Sequence, residues 1–458
     1  MSGKTAQQTI DQKSEVLKEL AMKIWENPEI GYEEEKACRW TAEFLENEGF
    51  TVETKCAGLP TAIRASWGEG KPVIGFLGEY DALPGMSQKV SAEKSPIKEG
   101  GPGHGCGHNL LGVAHLGAAI GLKKEMEEKN LKGTIVFYGC PAEETLTGKT
   151  FMARNGAFRD LDIAFAWHPA AANAITLGTM TALNSVKFSF KGITAHAGGD
   201  PHNGRSALDA AELMNVGANF LREHVTADVR IHYVFTDGGS VPNVVPDKAA
   251  VWYYIRALSR EAVVDTYERL IKIAEGAALM TETEVAVELL GGCYNTSQNK
   301  VLVDTVYETM KEVPVPTWSE EDKAFAAALN KSSANYDKML ASHSITKDIQ
   351  LDSSIAPISY KDNYGSSDVG DVQHIVPGVL FMTASSNIGA AFHSWHNTAC
   401  AGHSIGIKGM LHGAKIMAVS ALKAIENPTI IEKAKAEFNE TMDGRAYICP
   451  IPDEVPIP

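Results

Sequence analysis

Three apolar runs that each end abruptly in polar side chains constrain this chain more than any other feature of it. Val73-Ile74-Gly75-Phe76-Leu77 leads into Gly78-Glu79-Tyr80-Asp81, Thr134 to Gly139 leads into Pro141-Ala142-Glu143-Glu144, and Ile163-Ala164-Phe165-Ala166-Trp167 leads into His168-Pro169. A strand that is apolar on both faces is buried on both faces, as the central strands of a helix-covered sheet are. Open α/β sheets gather their ligand sites at the carboxyl ends of such strands. The three exits converge on one candidate site, and their convergence carries more weight than any single motif.

The surrounding pattern supplies helices. Apolar residues at helical spacing between Ile10 and Phe50, broken at Asn27-Pro28, predict a helical pair, and another helix is expected from about His108 to Asn130. From Ser185 the texture changes to alternating strands and helices in β-α-β-β-α-β order, closing near Thr296. The expected fold is α/β with two domains. A catalytic domain with a central mixed sheet takes residues 1–184 and 297–458, and an inserted α+β, ferredoxin-like lid domain takes 185–296. A long helix is expected near Gly406 to Glu426, and Cys449 to Pro458 reads as an extended surface tail.

Composition excludes some functions. The formal net charge of -15 over 458 residues leaves no extended basic surface for nucleic acid or anionic membrane. Met1 to Asp11 is polar, without the apolar core of a secretory signal, and no apolar stretch reaches the roughly 20 residues of a membrane span. The seven cysteines, at 38, 56, 106, 140, 293, 400 and 449, show no paired spacing. They fit a reducing compartment, the cytoplasm by default.

Gly103-His104-Gly105-Cys106-Gly107-His108 sets a thiol and an imidazole two residues apart on a glycine-rich turn, and both suit zinc or another transition metal. Alone, such a turn reads more readily as a flexible loop around a buried cysteine. Glu143-Glu144 offers one carboxylate for a metal and one for proton transfer; adjacent acids on a surface are the plainer reading, and their place at a strand exit argues against it. His168 reads as a ligand or as a hydrogen-bonded structural histidine. Near the carboxyl end, spacing does not choose among His393, His396 and His403. His115 shares a helix face with His108 and is assigned to packing, while His104 stands as a substitute ligand.

The ordered motifs Trp25 to Glu34, Gly78 to Pro84, Gly105 to Asn109, Pro141 to Glu144 and Thr194-Ala195-His196-Ala197-Gly198 resemble the aminoacylase and carboxypeptidase-G-like metallopeptidases, the M20 family. Asn243 to Asp247, Gly365 to Asp371 and His393-Ser394-Trp395 extend the resemblance over nearly the whole chain, and Asn109 agrees with the aminobenzoyl-glutamate branch. The resemblance implies that Cys106, His108, Glu144, His168 and His393 hold two divalent ions, manganese or zinc. Glu143 is then the general acid/base, and His196 stabilises the reacting carbonyl from the lid, often across a dimer. Asn243, Arg256, Gly365 and Ser366 are implied in substrate binding, and Asp81 acts behind the ligands. Arg256 reads equally as a salt-bridging residue within the lid.

Two departures stand out: Glu79-Tyr80-Asp81 replaces the wider family's His-x-Asp, and Cys106 replaces a bridging aspartate. The implied activity is hydrolysis of an N-acyl or N-aroyl amino acid such as p-aminobenzoyl-glutamate, or of a dipeptide, by a homodimer joined through the lid. A noncatalytic subunit working with a heteromeric partner is the alternative of another class.

Overall fold

The structure is a computed structural model that describes residues 3–342 and 349–458. Met1 and Ser2, at the start of the polar opening segment, and 343–348, within the expected second catalytic part, lie outside them. The described strands are β1 (Thr51–Thr54), β2 (Ile63–Glu69), β3 (Val73–Glu79), β4 (Gly133–Cys140), β5 (Ile163–Ala170), β6 (Ala174–Ile175), β7 (Ala182–Lys191), β8 (Arg230–Asp237), β9 (Lys248–Ala257), β10 (Glu284–Cys293) and β11 (Gly378–Ala384). Seven of them form a mixed sheet in the order β1-β2-β4-β3-β5-β11-β6. Within it β4, β3, β5 and β11 run parallel, so all four release their polar successors at one edge.

Every residue of β3 is buried, as its apolar run Val73 to Leu77 requires, and Glu79 at its end is buried with them. The helix His108–Lys129 is buried along nearly its whole length between this sheet and the helices Lys4–Gln12, Ser14–Glu26 and Ser404–Glu426, which share one apolar core with it. The strands β10-β7-β9-β8 make a second, antiparallel sheet backed by the helices Ala207–Leu221 and Arg260–Thr281, with a core of its own. This is the ferredoxin-like arrangement expected of the insertion, and the two-sheet α/β architecture is as the sequence implies.

Two local expectations change. The opening helical pair is three helices, because Lys4–Gln12 precedes it and is set off from Ser14–Glu26 by Lys13 alone. Only Ala6 and Ile10 of that first helix are buried, too little apolar surface to announce it. The segment from Cys449 lacks helix and strand, as expected, but it is docked rather than merely lying on the surface. Ile451 is wholly buried, and Arg154 Nη1 donates to the carbonyls of Pro452 at 2.7 Å and Val455 at 2.9 Å.

The helix Glu320–Ser332 supports the loop that leads to His393: Asn330 Oδ1 accepts from Asn387 Nδ2 at 2.6 Å and from Gly389 N at 2.8 Å. Ser319 and Asp322 close its amino end in a capping box. Burial raises the Asp322 carboxyl, yet hydrogen bonds from Lys408, Ser404 and Ser319 outweigh it and hold the pKa at about 2. A pKa depressed by folding stabilises above the unfolded value and is lost as pH falls through the folded one. Asp322→Asn should therefore cost about 2–4 kcal/mol near neutrality. In thermal melts, its deficit against the parent should shrink as pH falls from about 4 to about 2.

Candidate metal centre

Asp81, just beyond β3, organises the site and is almost completely buried. Its Oδ1 accepts from His108 Nδ1 at 2.8 Å, and its Oδ2 accepts from the backbone N–H of Glu144 at 2.8 Å. Burial alone would raise its pKa, but the facing His108 and these hydrogen bonds lower it, so Asp81 is ionised. With Nδ1 donating to Asp81, the neutral ring would present a lone pair at Nε2. Burial lowers the His108 pKa, but Cys106 and Asp81 outweigh it and raise it, so a cation there would take the place of the Nε2 proton. Nε2 is buried and has no hydrogen-bond partner.

His108 opens its helix behind Gly107, whose φ of 79° is left-handed and where a Cβ would stand 2.9 Å from Pro169 Cγ. Only glycine fits there without strain. The turn brings Cys106 Sγ to 3.3 Å from His168 Nε2, while His168 Nδ1 donates to the Pro169 carbonyl at 2.8 Å. Burial lowers the His168 pKa to about 3, so it is a neutral ring whose free nitrogen faces the thiol. His393, at φ 57°, is anchored by its N–H to the Gly105 carbonyl at 3.1 Å and sets Nε2 3.3 Å from Glu144 Oε2.

Glu143 and Glu144 ride a tight turn flanked by Ala142 and Leu146, both at positive φ. Such residues cost roughly 1–2 kcal/mol each unless held. Glu34, wholly buried, provides a hold: its Oε1 accepts from Ala142 N at 2.7 Å and its Oε2 from Thr61 Oγ1 at 2.9 Å. Burial, then the nearby Glu79, raises the Glu143 pKa to about 7 against the pull of Lys149 and His108. Burial likewise lifts Glu144 to about 8, against His108 and with Glu143 and Asp81 adding to the rise.

The donor atoms meet as two triads sharing one thiol, Cys106 with His108 and His168, and Cys106 with Glu144 and His393, each within 4.8 Å. Glu79, His108 and Glu143 form a third such group. Orphaned atoms on His108 and Glu144, a carboxylate crowd and neutral imidazoles aimed inward are the environment that divalent cations satisfy, so the residues present fit a metal pair. Of the three histidines left open by spacing, only His393 reaches these triads. His396 Nε2 is 3.0 Å from Ser332 Oγ, and His403 caps its own helix. His104 turns Nε2 to the Ile24 carbonyl at 3.3 Å, outside the triads. His115 joins helix to sheet, with Nδ1 to the Leu111 carbonyl at 2.8 Å and Nε2 accepting from Trp167 N at 3.2 Å.

A cavity of about 450 Å³ opens on this cluster, with Cys106, Glu143, Glu144, His168 and His393 on its wall. Arg256, on β9, lines it together with Gly365 and Ser366, and Arg256 Nη1 donates to Ser366 Oγ at 2.7 Å. Arg256 thus reaches across to the 365–368 loop rather than pairing within its own sheet. Apolar walls come from Leu83, Leu111, Met180, Leu380, Met382 and Phe392. His196 and Asn243 do not line the cavity; they sit together on an exposed loop pair where Ala197 N donates to the Asn243 carbonyl at 3.0 Å. Sequence reading leaves out Glu34, Tyr254, Phe392 and the buried Lys149. Lys149 carries one signal, a lysine five residues after Glu144 in front of the apolar Phe151-Met152-Ala153.

A mixed sheet whose parallel strand exits bring Glu79, Glu143, Glu144 and His168 up to the thiol of Cys106 and the imidazoles of His108 and His393 has the donor set of an α/β metal-binding hydrolase. Residues 181–281 match the M20 peptidase dimerisation domain. The chain is 40% identical over 456 residues to one of the p-aminobenzoyl-glutamate hydrolase subunits of Escherichia coli (strain K12), covering 95% of each chain. It is 30% identical over 460 residues to the Xaa-Arg dipeptidase of Homo sapiens, covering 96% of this chain and 92% of that one. A dinuclear metal-binding peptidase of the M20 family from Bacillus subtilis shares the fold at 18% identity and TM-score 0.60, over 91% of this chain and 99% of that one. A putative aminohydrolase from methicillin-resistant Staphylococcus aureus does so at 18% identity and TM-score 0.67, over 92% and 100%. The chain belongs to the M20 family of metallopeptidases and amidohydrolases, and it is an enzyme of that hydrolytic class. No helix among the described residues is long and apolar enough to cross a membrane.

Cys106 is common to both triads, so its loss should weaken both cation positions at once. Cys106→Ala should lower metal affinity by about 100-fold or more, beyond what outer partners contribute. Metal analysis after dialysis should then find less than half the parent's content, whereas loss of a single ion would show that the thiol serves one position.

Proposed function

We propose that this chain hydrolyses the amide bond of an N-acyl or N-aroyl amino acid, p-aminobenzoyl-glutamate first among candidates, with a pair of divalent cations. The observation that carries this reading is the pair of donor triads sharing Cys106 beside Glu143, in one cavity with Arg256. Cys106, His108 and His168 would hold one cation, and Cys106, Glu144 and His393 the other. The thiolate favours zinc and the carboxylates admit manganese. When bound, divalent cations supply Lewis acidity, which lowers the pKa of a water toward neutrality and polarises a carbonyl.

The chain's own groups do the rest. Glu143, with a pKa raised to about 7, takes the proton of the attacking water and returns it to the leaving amine nitrogen. Arg256 and Ser366 in the Gly365 loop hold the substrate's free carboxylate, and the apolar wall takes the acyl group. His196 accepts at Nδ1 from the N–H groups of Gly198 at 3.1 Å and Gly199 at 2.9 Å. Its neutral ring therefore carries the proton on Nε2, suited to donate to a developing oxyanion. Because His196 and Asn243 stand away from the cavity lining, they would reach it through closure of the second-sheet unit or from a second copy. That unit, about 185–296 between catalytic parts 1–184 and 297–458, is proposed as lid and dimerisation domain. The seven free cysteines support a reducing compartment such as the cytoplasm.

A dipeptide substrate is the second reading, favoured by the 30% identity to Xaa-Arg dipeptidase over nearly the whole chain. Assay of the purified, metal-reconstituted chain against acyl-amino acids and dipeptides separates the two, and activity that appears only with an added partner chain would favour a noncatalytic subunit instead. Glu143→Gln should lower kcat by about 10²–10⁴-fold with metal content unchanged. Retained turnover would remove Glu143 as the proton carrier. His196→Ala should lower kcat by about 10²–10³-fold, again without metal loss; loss of metal would place His196 among the ligands.

A further inference from the structure

Among the described residues, Lys149 is the only lysine or arginine that is buried. A lysine is rarely buried unless paired, and this one is paired twice. Its Nζ lies 2.6 Å from Glu79 Oε1 and also donates to Asp368 Oδ1. Its backbone N–H donates to Asp368 Oδ2 at 2.7 Å, so both oxygens of Asp368 close on the same residue. Glu79 lines the cavity, and its other oxygen lies 3.4 Å from His108 Nε2.

Asp368 ends the loop whose Ser366 receives Arg256. The near end of that loop is fixed to the second sheet's approach, with Thr181 N donating to the Gly365 carbonyl at 2.8 Å and Thr181 Oγ1 lying 2.9 Å from Ser366 Oγ. At the far end, the Asp368–Lys149–Glu79 contact carries the loop on to the metal wall. Packing alone does not call for ions here, since apolar side chains of similar volume stabilise an interior as well or better. What an ammonium adds is direction, because its donors are satisfied by carboxylates on two different elements at once.

We propose that Lys149 is a positioning residue that fixes the 365–368 loop against the metal-bearing wall and thereby sets affinity for the substrate's carboxylate. The proposal rests on the reading of that loop as the carboxylate site. A displaced loop would leave Glu143 and the metal ligands in place while Ser366 and Arg256 meet the substrate poorly. The signature is a change in KM rather than kcat.

The test uses the full-length, manganese-loaded protein, with Lys149→Met and the milder Asp368→Asn. The second variant keeps the side-chain shape and leaves Lys149 paired with Glu79, so it reports where Lys149→Met does not fold. Metal content, KM and kcat for p-aminobenzoyl-glutamate, and backbone hydrogen exchange of residues 363–372 are measured. The expected result is unchanged metal content, KM raised about tenfold with kcat on the plateau of its pH profile within about threefold, and faster exchange in that segment; kcat is read on that plateau because Lys149 also holds the Glu143 pKa down. Unchanged KM and exchange in a folded variant would overturn the proposal, as would metal loss with KM unchanged, which would make Lys149 a support of the metal wall alone. If the parent turns over no acyl-amino acid, the functional reading fails by itself, and exchange across 363–372 still decides the role of Lys149.

Discussion

Five carboxylates, Glu79, Asp81, Glu143, Glu144 and Asp368, crowd around one buried imidazole, His108, and a single buried ammonium, Lys149. Like charges brought together out of water are costly, and the raised pKa values of Glu143 and Glu144 record that cost. Protonation of a carboxylate or added positive charge relieves that cost. Divalent cations would supply that charge and would satisfy the buried atoms on His108 and Glu144 that have no hydrogen-bond partner.

The fold is shaped to concentrate that charge. Parallel pairing of β4, β3, β5 and β11 puts their exits on one edge, and the register sets Glu79 opposite Cys140 and His168 opposite Met382. Neighbouring residues then meet different surroundings. Glu144 is aimed at His393 by a turn whose backbone is fixed through Asp81, whereas Glu143 faces His108 and Glu79. Glu34 supports the same turn from the amino-terminal side, which ties a motif near residue 30 to chemistry more than a hundred residues away.

What the sequence discloses follows from how each residue is buried. Strands β3, β4 and β5 are legible because burial on both faces writes itself as unbroken apolar runs, and their exits name Glu143, Glu144 and His168. His393 is not separable from His396 and His403 by spacing, since its position depends on a positive-φ turn held to Gly105 from across the chain. Glu34 sits in Glu33-Glu34-Glu35, which reads as a solvated charge run until Thr61 and Ala142 close over it. Lys149 is hidden for the same reason: lysine is a surface residue by default, and only the joint approach of Glu79 and Asp368 makes its burial tolerable. The helix Lys4–Gln12 escapes notice because two buried side chains are too faint a signal.

The position of His196 bears on how the site is completed. Its Nδ1 is occupied by two backbone donors in a local turn, so its ring orientation and tautomer are set before any substrate arrives. Only its distance from the cavity is left to adjust. As the proposed oxyanion donor, a histidine pre-oriented in this way on a loop beside a separate sheet would avoid reorganisation cost at the reaction step and would make the site's competence depend on the arrangement of whole units. Arg256 belongs to that same second sheet and already reaches Ser366. The second sheet therefore meets the 365–368 loop through the group proposed to recognise the substrate carboxylate, which would couple carboxylate binding to the approach of His196 through β9 and its neighbours.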